Sequence, residues 1–134
     1  MENIINIGKI GENKAREYLK NKGYRIIDRN YREKFGEIDI IAVSRDLTLV
    51  FIEVKTIDKS GKSAIRLPDG QIAGLEPEDN LTKSKLIKLQ RICQVFAAKH
   101  QELIDERRGW RIDLLALTKI DKDYLINHYE NISL

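Results

Sequence analysis

The stretch VFIEVK (50–55), inside the longer apolar run LTLVFIEVKTI (47–57), has the β-branched and apolar composition of a buried strand. Glu53 and Lys55 lie two residues apart in it, and alternate residues of a strand point to the same face. Burying an unpaired charge in a core is costly. Two charges on one face of a central strand therefore need a physical reason.

The preceding segment supplies a second carboxylate. EIDIIAVS (37–44) has the pattern of a strand, with Glu37, Asp39 and Ile41 expected on one face, and the SRD turn (44–46) joins it to the next strand. So short a link predicts antiparallel pairing, which can bring Asp39 beside Glu53. Two converging carboxylates repel one another unless a cation lies between them. Oxygen ligands suit Mg²⁺ or Mn²⁺, so Asp39 and Glu53 are candidate metal ligands.

Two interpretations of Lys55 stay open from the residues alone. In the simpler one, Lys55 forms an ion pair with Asp39 or Glu53 at the end of the sheet, because charged pairs of this kind are common on strands. In the functional one, Asp39 and Glu53 bind a metal, and Lys55 orients a water or stabilises charge on a phosphate.

The first predicted helix, residues 4–21, carries a further carboxylate. Glu12 borders the apolar stripe of this helix, which lets it reach the sheet and complete a metal site. The alternative is an ion pair with Arg16, four residues further along the same helix.

A second helix is predicted over residues 81–106. Lys85 lies in its first turn, with Lys88 nearby, and both are candidate phosphate contacts. A solvated basic helix face is the alternative. Cys93 falls on the apolar stripe and is predicted to pack in the core.

Composition limits the protein class. The chain has 134 residues, a formal charge of +3 and a pI near 8.9, which predicts one domain (1–134) and permits nucleic-acid binding without requiring it. A single cysteine rules out an internal disulfide and is typical of a reducing compartment. No window has the length and apolarity of a membrane span, so we expect a cytoplasmic protein without membrane contact.

The order of predicted elements is typical of one architecture. Further strands are predicted at 24–32, 110–118 and 123–132, and residues 58–80 are predicted to be a loop. A helix, three strands, a helix and one or two strands predict an α/β fold in which helices flank the sheet. Arg111 and Asp113 share a strand face as an expected ion pair, whereas His128 looks too isolated for a metal site or a catalytic dyad.

Five fragments together resemble one known family. IGENKAREYL (10–19), GYRIIDRNYR (23–32), GEIDIIA (36–42), LVFIEVKT (49–56) and WRIDLLAL (110–117) occur in this order. The chain resembles the YraN-like family of small bacterial proteins, which are described as predicted endonucleases. The segment between the third strand and the long helix looks longer than in that family, and LEPEDN (75–80) brings acidic residues where a basic stretch is usual.

The resemblance implies a restriction-endonuclease-like fold with a central mixed sheet of four to five strands flanked by helices. By position it implies that Asp39, Glu53 and Glu12 bind Mg²⁺ or Mn²⁺ and that Lys55 is the catalytic lysine. The implied reaction is phosphodiester hydrolysis in nucleic acid, with DNA favoured and branched or structured DNA as one substrate class. Arg32, Lys85 and Lys88 are the expected nucleic-acid contacts. The alternatives are a non-catalytic nucleic-acid-binding module and a scaffold, and a homodimer is open because symmetric cutting of two strands needs two sites.

Overall fold

The structure, a computed structural model, describes residues 4–59, 65–66, 72–73 and 81–132. Its elements, in chain order, are α1 (Ile4–Asn21), β1 (Arg25–Glu33), β2 (Gly36–Val43), β3 (Leu49–Asp58), β4 (Ile65–Arg66), β5 (Ile72–Ala73), α2 (Lys83–Lys99), a 3₁₀ turn (Gln101–Leu103), β6 (Trp110–Ile120) and β7 (Asp123–Tyr129). In the described part of the chain, neither helix is long and apolar enough to cross a membrane.

The main sheet is mixed and has five strands in the order β1-β2-β3-β6-β7. The β1–β2, β2–β3 and β6–β7 pairs are antiparallel, and β3 pairs with β6 in parallel. The parallel pair is possible because α2 lies between the two strands in sequence and returns the chain to the starting edge. The predicted α/β fold with a mixed five-stranded sheet and flanking helices is confirmed. β4 and β5 form a separate two-stranded ladder inside the predicted loop 58–80.

Each face of the sheet packs against one helix. On the α2 face, Ile41, Phe51 and Ile112 pack against Ile92 and Phe96. On the other face, a cluster around Ala15 and Leu19 of α1 covers the sheet residues Ile40, Ala42, Val50, Ile52, Leu115 and Leu117. β2, β3 and β6 are therefore buried on both faces, which explains their nearly continuous apolar sequences.

The predicted end of the second helix at residue 106 was wrong, because α2 ends at Lys99. His100 leaves helical geometry (φ −132°, ψ 51°), and its ring stacks on Phe96 with 4.3 Å between ring centroids. The turn that follows packs Leu103 and Ile104 against the α2-side core, which a continued helix would not do. This early end also turns the chain toward the start of β6.

A buried polar network ties β6 and β7 to α1. Asp113 of β6 is fully buried and accepts hydrogen bonds from Arg111 Nε at 3.0 Å and from the Asn131 backbone N–H at 2.9 Å. His128 Nε2 lies 2.8 Å from Asp113 Oδ2, and its Nδ1 lies 3.1 Å from the Tyr18 hydroxyl of α1. The expected Arg111–Asp113 ion pair is confirmed, but the interpretation of His128 as isolated was wrong. The folded chain brings His128 to Asp113 although the two are 15 residues apart.

Helix α1 approaches β3 most closely at Gly11. A Cβ placed on Gly11 would overlap the side chain of Thr56, whereas a Cβ on Gly8, one turn earlier, would meet nothing within 4 Å. Glycine at position 11 therefore sets the separation between helix and sheet and, with it, the position of the adjacent Glu12.

We predict that Gly11→Ala destabilises the protein by about 1–3 kcal/mol, because the added methyl group forces α1 away from Thr56. Gly8→Ala is the matched control in the same helix and should stabilise by about 0.5–1 kcal/mol, because alanine loses less backbone entropy. Urea unfolding of the two variants measures both changes. Equal free energies of unfolding for the two variants would contradict the close approach.

Candidate metal centre

Strands β2 and β3 stop pairing at the point where Asp39 lies. Their last paired residues are Ile40 and Ile52. Beyond them, Asp39 Oδ2 accepts a hydrogen bond of 2.8 Å from the backbone N–H of Val54. One oxygen of the Asp39 carboxylate thus accepts from a backbone donor of the neighbouring strand, which fixes the position of this side chain.

The neighbouring strand β1 is irregular at the same level. Asn30 has a left-handed backbone (φ 54°) within β1, and the β1–β2 pairing passes over Asn30 and Asp39. Ile38 and Ile41 pack in the same core cluster although they are three residues apart. The prediction that Glu37, Asp39 and Ile41 share one face by simple alternation was therefore wrong. The break in alternation places Asp39 where groups from both faces of the sheet can approach it.

The carboxyl groups of Asp39 and Glu53 are close enough to hydrogen-bond to each other. Burial, with added repulsion from Glu37 and Glu12, raises the pKa of Asp39 to about 6. Burial, followed by the charge of Asp39, raises the pKa of Glu53 to about 8. Both pKa values are raised for the reasons expected of a half-buried pair of like charges. A divalent cation bound between the two carboxylates would offset their repulsion when both are ionised.

Glu12 approaches this place from α1, and its side chain is 20% exposed. Asn30 Nδ2 donates to Glu12 Oε1 at 3.1 Å, and Arg29 forms an ion pair with the same oxygen at 3.4 Å. Glu12 therefore pairs with β1 rather than with Arg16, the alternative that the sequence suggested. The charge of Glu12 raises the pKa of Asp39, so Glu12 lies within electrostatic reach of this carboxyl group.

Glu53 also forms one wall of a cavity of about 170 Å³ on the α2 face. Lys85 and Lys88 of α2 line the same cavity, and the positive charge of Lys85 acts on Glu53. The fold thus brings these two predicted nucleic-acid contacts to the cavity that Glu53, one of the predicted metal ligands, also lines. Glu37 and Phe35 line this cavity as well. No role for Phe35 was predicted, and its only signal in the sequence was an aromatic residue in the short turn before GEID (36–39).

The remaining predicted residues lie on β3 and β1. Lys55 follows Glu53 by two residues on β3, is half-buried and pairs with Ala116 of β6 in the parallel ladder. Arg32 of β1 forms a 2.8 Å ion pair with Glu37, and its side chain is 75% exposed. An ion pair so exposed contributes about 0–1 kcal/mol and leaves Arg32 able to exchange Glu37 for a phosphate.

A second group of potential ligands lies elsewhere, at Asp113, His128 and Glu130, whose ligand atoms lie within 4.8 Å of one another. Arg111 forms ion pairs with Asp113 at 3.0 Å and with Glu130 at 3.8 Å. A guanidinium that already neutralises two of the three groups competes with a metal. Hydrogen bonds to His128, the Asn131 backbone and Arg111 hold the pKa of Asp113 below its usual range despite burial. We interpret this group as a structural network.

The sequence matches one known protein family over most of its length. The model of uncharacterised protein family UPF0102 matches residues 11–117. A UPF0102 protein of Alkaliphilus oremlandii is 41% identical over 125 residues, which cover 93% of this chain and 95% of the relative. A UPF0102 protein of Pseudothermotoga lettingae is 38% identical, and the match covers 94% of this chain and 97% of the relative. One from Campylobacter concisus is 35% identical, and the match covers 95% of this chain and 93% of the relative.

The raised pKa values of Asp39 and Glu53 predict a pH dependence of stability without divalent cations. Between about pH 4 and pH 8 this pair binds more protons in the folded protein than in the unfolded chain, so its contribution to the free energy of unfolding falls as the pH rises. We expect a fall larger than about 1.4 kcal/mol, the value of one pKa unit. Urea unfolding in EDTA at several pH values measures it.

The double variant Asp39→Asn with Glu53→Gln should lose most of this fall, because neither side chain titrates. Glu106→Gln, at an exposed position away from the pair, should keep it. If the free energy of unfolding of the double variant still falls with pH as in the wild type, other groups cause the fall.

Proposed function

The chain belongs to uncharacterised protein family UPF0102, and we propose that it is a metal-dependent endonuclease that hydrolyses phosphodiester bonds in nucleic acid. DNA is the favoured substrate, and branched or structured DNA is the favoured form. The proposal rests mainly on the Asp39–Glu53 pair. These two half-buried carboxyl groups meet where the pairing of β2 with β3 ends.

The residues present fit a hard divalent cation. Carboxylate oxygens are the ligands that Mg²⁺ and Mn²⁺ prefer. Asp39 and Glu53 would hold the ion, and Glu12 would add negative charge or an outer ligand from α1. Such a cation, once bound, polarises a phosphate and lowers the pKa of a bound water.

The other polar residues support the same chemistry. In the proposed role, Lys55 orients the attacking water or stabilises the negative charge that develops on the phosphate. Lys85 and Lys88, on the rim of the adjoining cavity, would bind the phosphates that flank the cleaved bond, and Arg32 would add a contact from β1. Phosphate contacts position a substrate without reading its bases, which suits structure-selective recognition by a small domain.

The alternative is a nucleic-acid-binding module or scaffold that uses the same fold without hydrolysis. A binding module needs the basic side chains of α2 but has no use for a repelling carboxylate pair at the end of the β2–β3 ladder. The presence of Asp39, Glu53 and Lys55 together therefore favours the enzyme.

A cleavage panel tests the proposal. Single-stranded, duplex, flapped and four-way-junction DNA, and one RNA, are incubated with Mg²⁺ or Mn²⁺. We expect cutting by the wild type that falls at least about 100-fold in Glu53→Gln and Lys55→Ala, because each loses a group that acts in the transition state.

Matched controls expose contaminating nucleases and general damage. Glu106→Gln and Lys122→Ala change the same residue types at exposed positions outside the site and should cut like the wild type. Cutting that persists in Glu53→Gln would show that another site or a contaminant is responsible. Metal-independent binding without any cutting would favour the binding module.

A further inference from the structure

We propose that the cavity between the β1–β2 turn and α2 accepts one unstacked base, so that the substrates of this site carry an unpaired nucleotide next to the cleaved phosphodiester. This inference rests on the proposed nuclease function and specifies its substrate class. DNA flaps, bulges and junctions offer such a nucleotide, and a continuous duplex does not.

The cavity has a size suited to a single nucleobase. Its volume of about 170 Å³ is well below the ~300–1,000 Å³ of pockets for drug-sized ligands. Leu81, Leu89 and Ile92 form apolar surface, while Glu53 of the carboxylate pair forms part of the wall. A planar group in this cavity therefore lies beside Glu53, one of the proposed metal ligands.

Phe35 supplies the stacking surface. It sits in the two-residue turn between β1 and β2, lines the cavity and is 42% exposed. The other two phenylalanines, Phe51 and Phe96, are 0% and 3% exposed and pack edge-to-face in the core. Phe35 thus adds little to the core from its position, but it can stack on a base that has left the helix, as aromatic residues of single-strand binding proteins do.

The cavity is lined by two carboxylates, Glu37 and Glu53, as well as by two lysines, so a bound nucleotide would have its phosphates on the lysine side. Lys85 and Lys88 are both exposed and stand on the α2 side of the opening. They can bind the phosphates on either side of a base held against Phe35. Glu53 lines the same cavity, so a cation held there would meet the phosphodiester of that nucleotide.

Selectivity follows from the energy of extracting the base. A paired base must lose its pairing and stacking before it enters a pocket, whereas an unpaired base loses much less. The same cavity therefore favours DNA with an unpaired nucleotide, without any hydrogen bond that reads base identity.

The experiment compares two DNAs of the same length, a continuous duplex and the same duplex with one unpaired nucleotide. Their Kd values are measured by fluorescence anisotropy in EDTA at one fixed salt concentration, because phosphate contacts make affinity depend on salt. The proteins are the wild type, Phe35→Ala, Phe35→Trp and the control Ile87→Ala, which removes an equally exposed (42%) apolar side chain outside the cavity.

We expect the wild type to prefer the DNA with the unpaired nucleotide and Phe35→Ala to lose about tenfold in affinity for it. Affinity for the continuous duplex should not change in that variant. Phe35→Trp should keep the preference because it keeps a stacking surface, and Ile87→Ala should behave like the wild type. No preference in the wild type, a preference that survives Phe35→Ala, or no binding to either DNA would overturn the inference.

The two proposals fail separately. A preference that depends on Phe35, without hydrolysis in Mg²⁺ or Mn²⁺, supports the base-accepting cavity and rejects the nuclease. Metal-dependent hydrolysis with equal affinity for the two DNAs supports the nuclease and rejects the cavity's role.

Discussion

The repulsion between the carboxyl groups of Asp39 and Glu53 is the constraint on which the functional part of this structure depends. The two groups meet beyond the last paired residues of β2 and β3, where Val54 donates its backbone N–H to Asp39. In a regular ladder that N–H would donate to a backbone carbonyl of the neighbouring strand instead of to a side chain. The separation of the strands costs backbone pairing and forces two acids together, an arrangement typical of a functional site rather than of a core.

The rest of the fold holds this local irregularity in place. β3 is central in the sheet, with an antiparallel neighbour on one side and the ten-residue β3–β6 parallel ladder on the other. Gly11 lets α1 lie directly on β3, and the charge of the adjacent Glu12 acts on Asp39. α2 lies on the opposite face and brings Lys85 to Glu53. Acidic and basic groups thus converge on β3 from different elements.

Much of this arrangement was predictable from the sequence, because it follows from local rules. Short turns between apolar runs predict an antiparallel β1–β2–β3 meander, and that register brings Asp39 toward Glu53. The break in alternation at Asp39 was not predictable, because it accompanies a left-handed residue, Asn30, on another strand. The His128–Asp113 contact was missed for a similar reason, since it depends on the register of β6 and β7. The end of α2 at Lys99 depends on how Leu103 and Ile104 pack against the core.

The most direct test of a metal centre at Asp39 and Glu53 is the binding of Mn²⁺, measured by isothermal titration calorimetry. The proteins are the wild type, Asp39→Asn and the surface control Glu106→Gln. We expect Mn²⁺ to bind the wild type and Glu106→Gln with equal affinity, and to bind Asp39→Asn at least about tenfold more weakly, because that change removes a charged oxygen ligand. Heat of binding that is the same in Asp39→Asn, or that is absent in the wild type, would contradict the assignment of the Asp39–Glu53 pair as a metal centre.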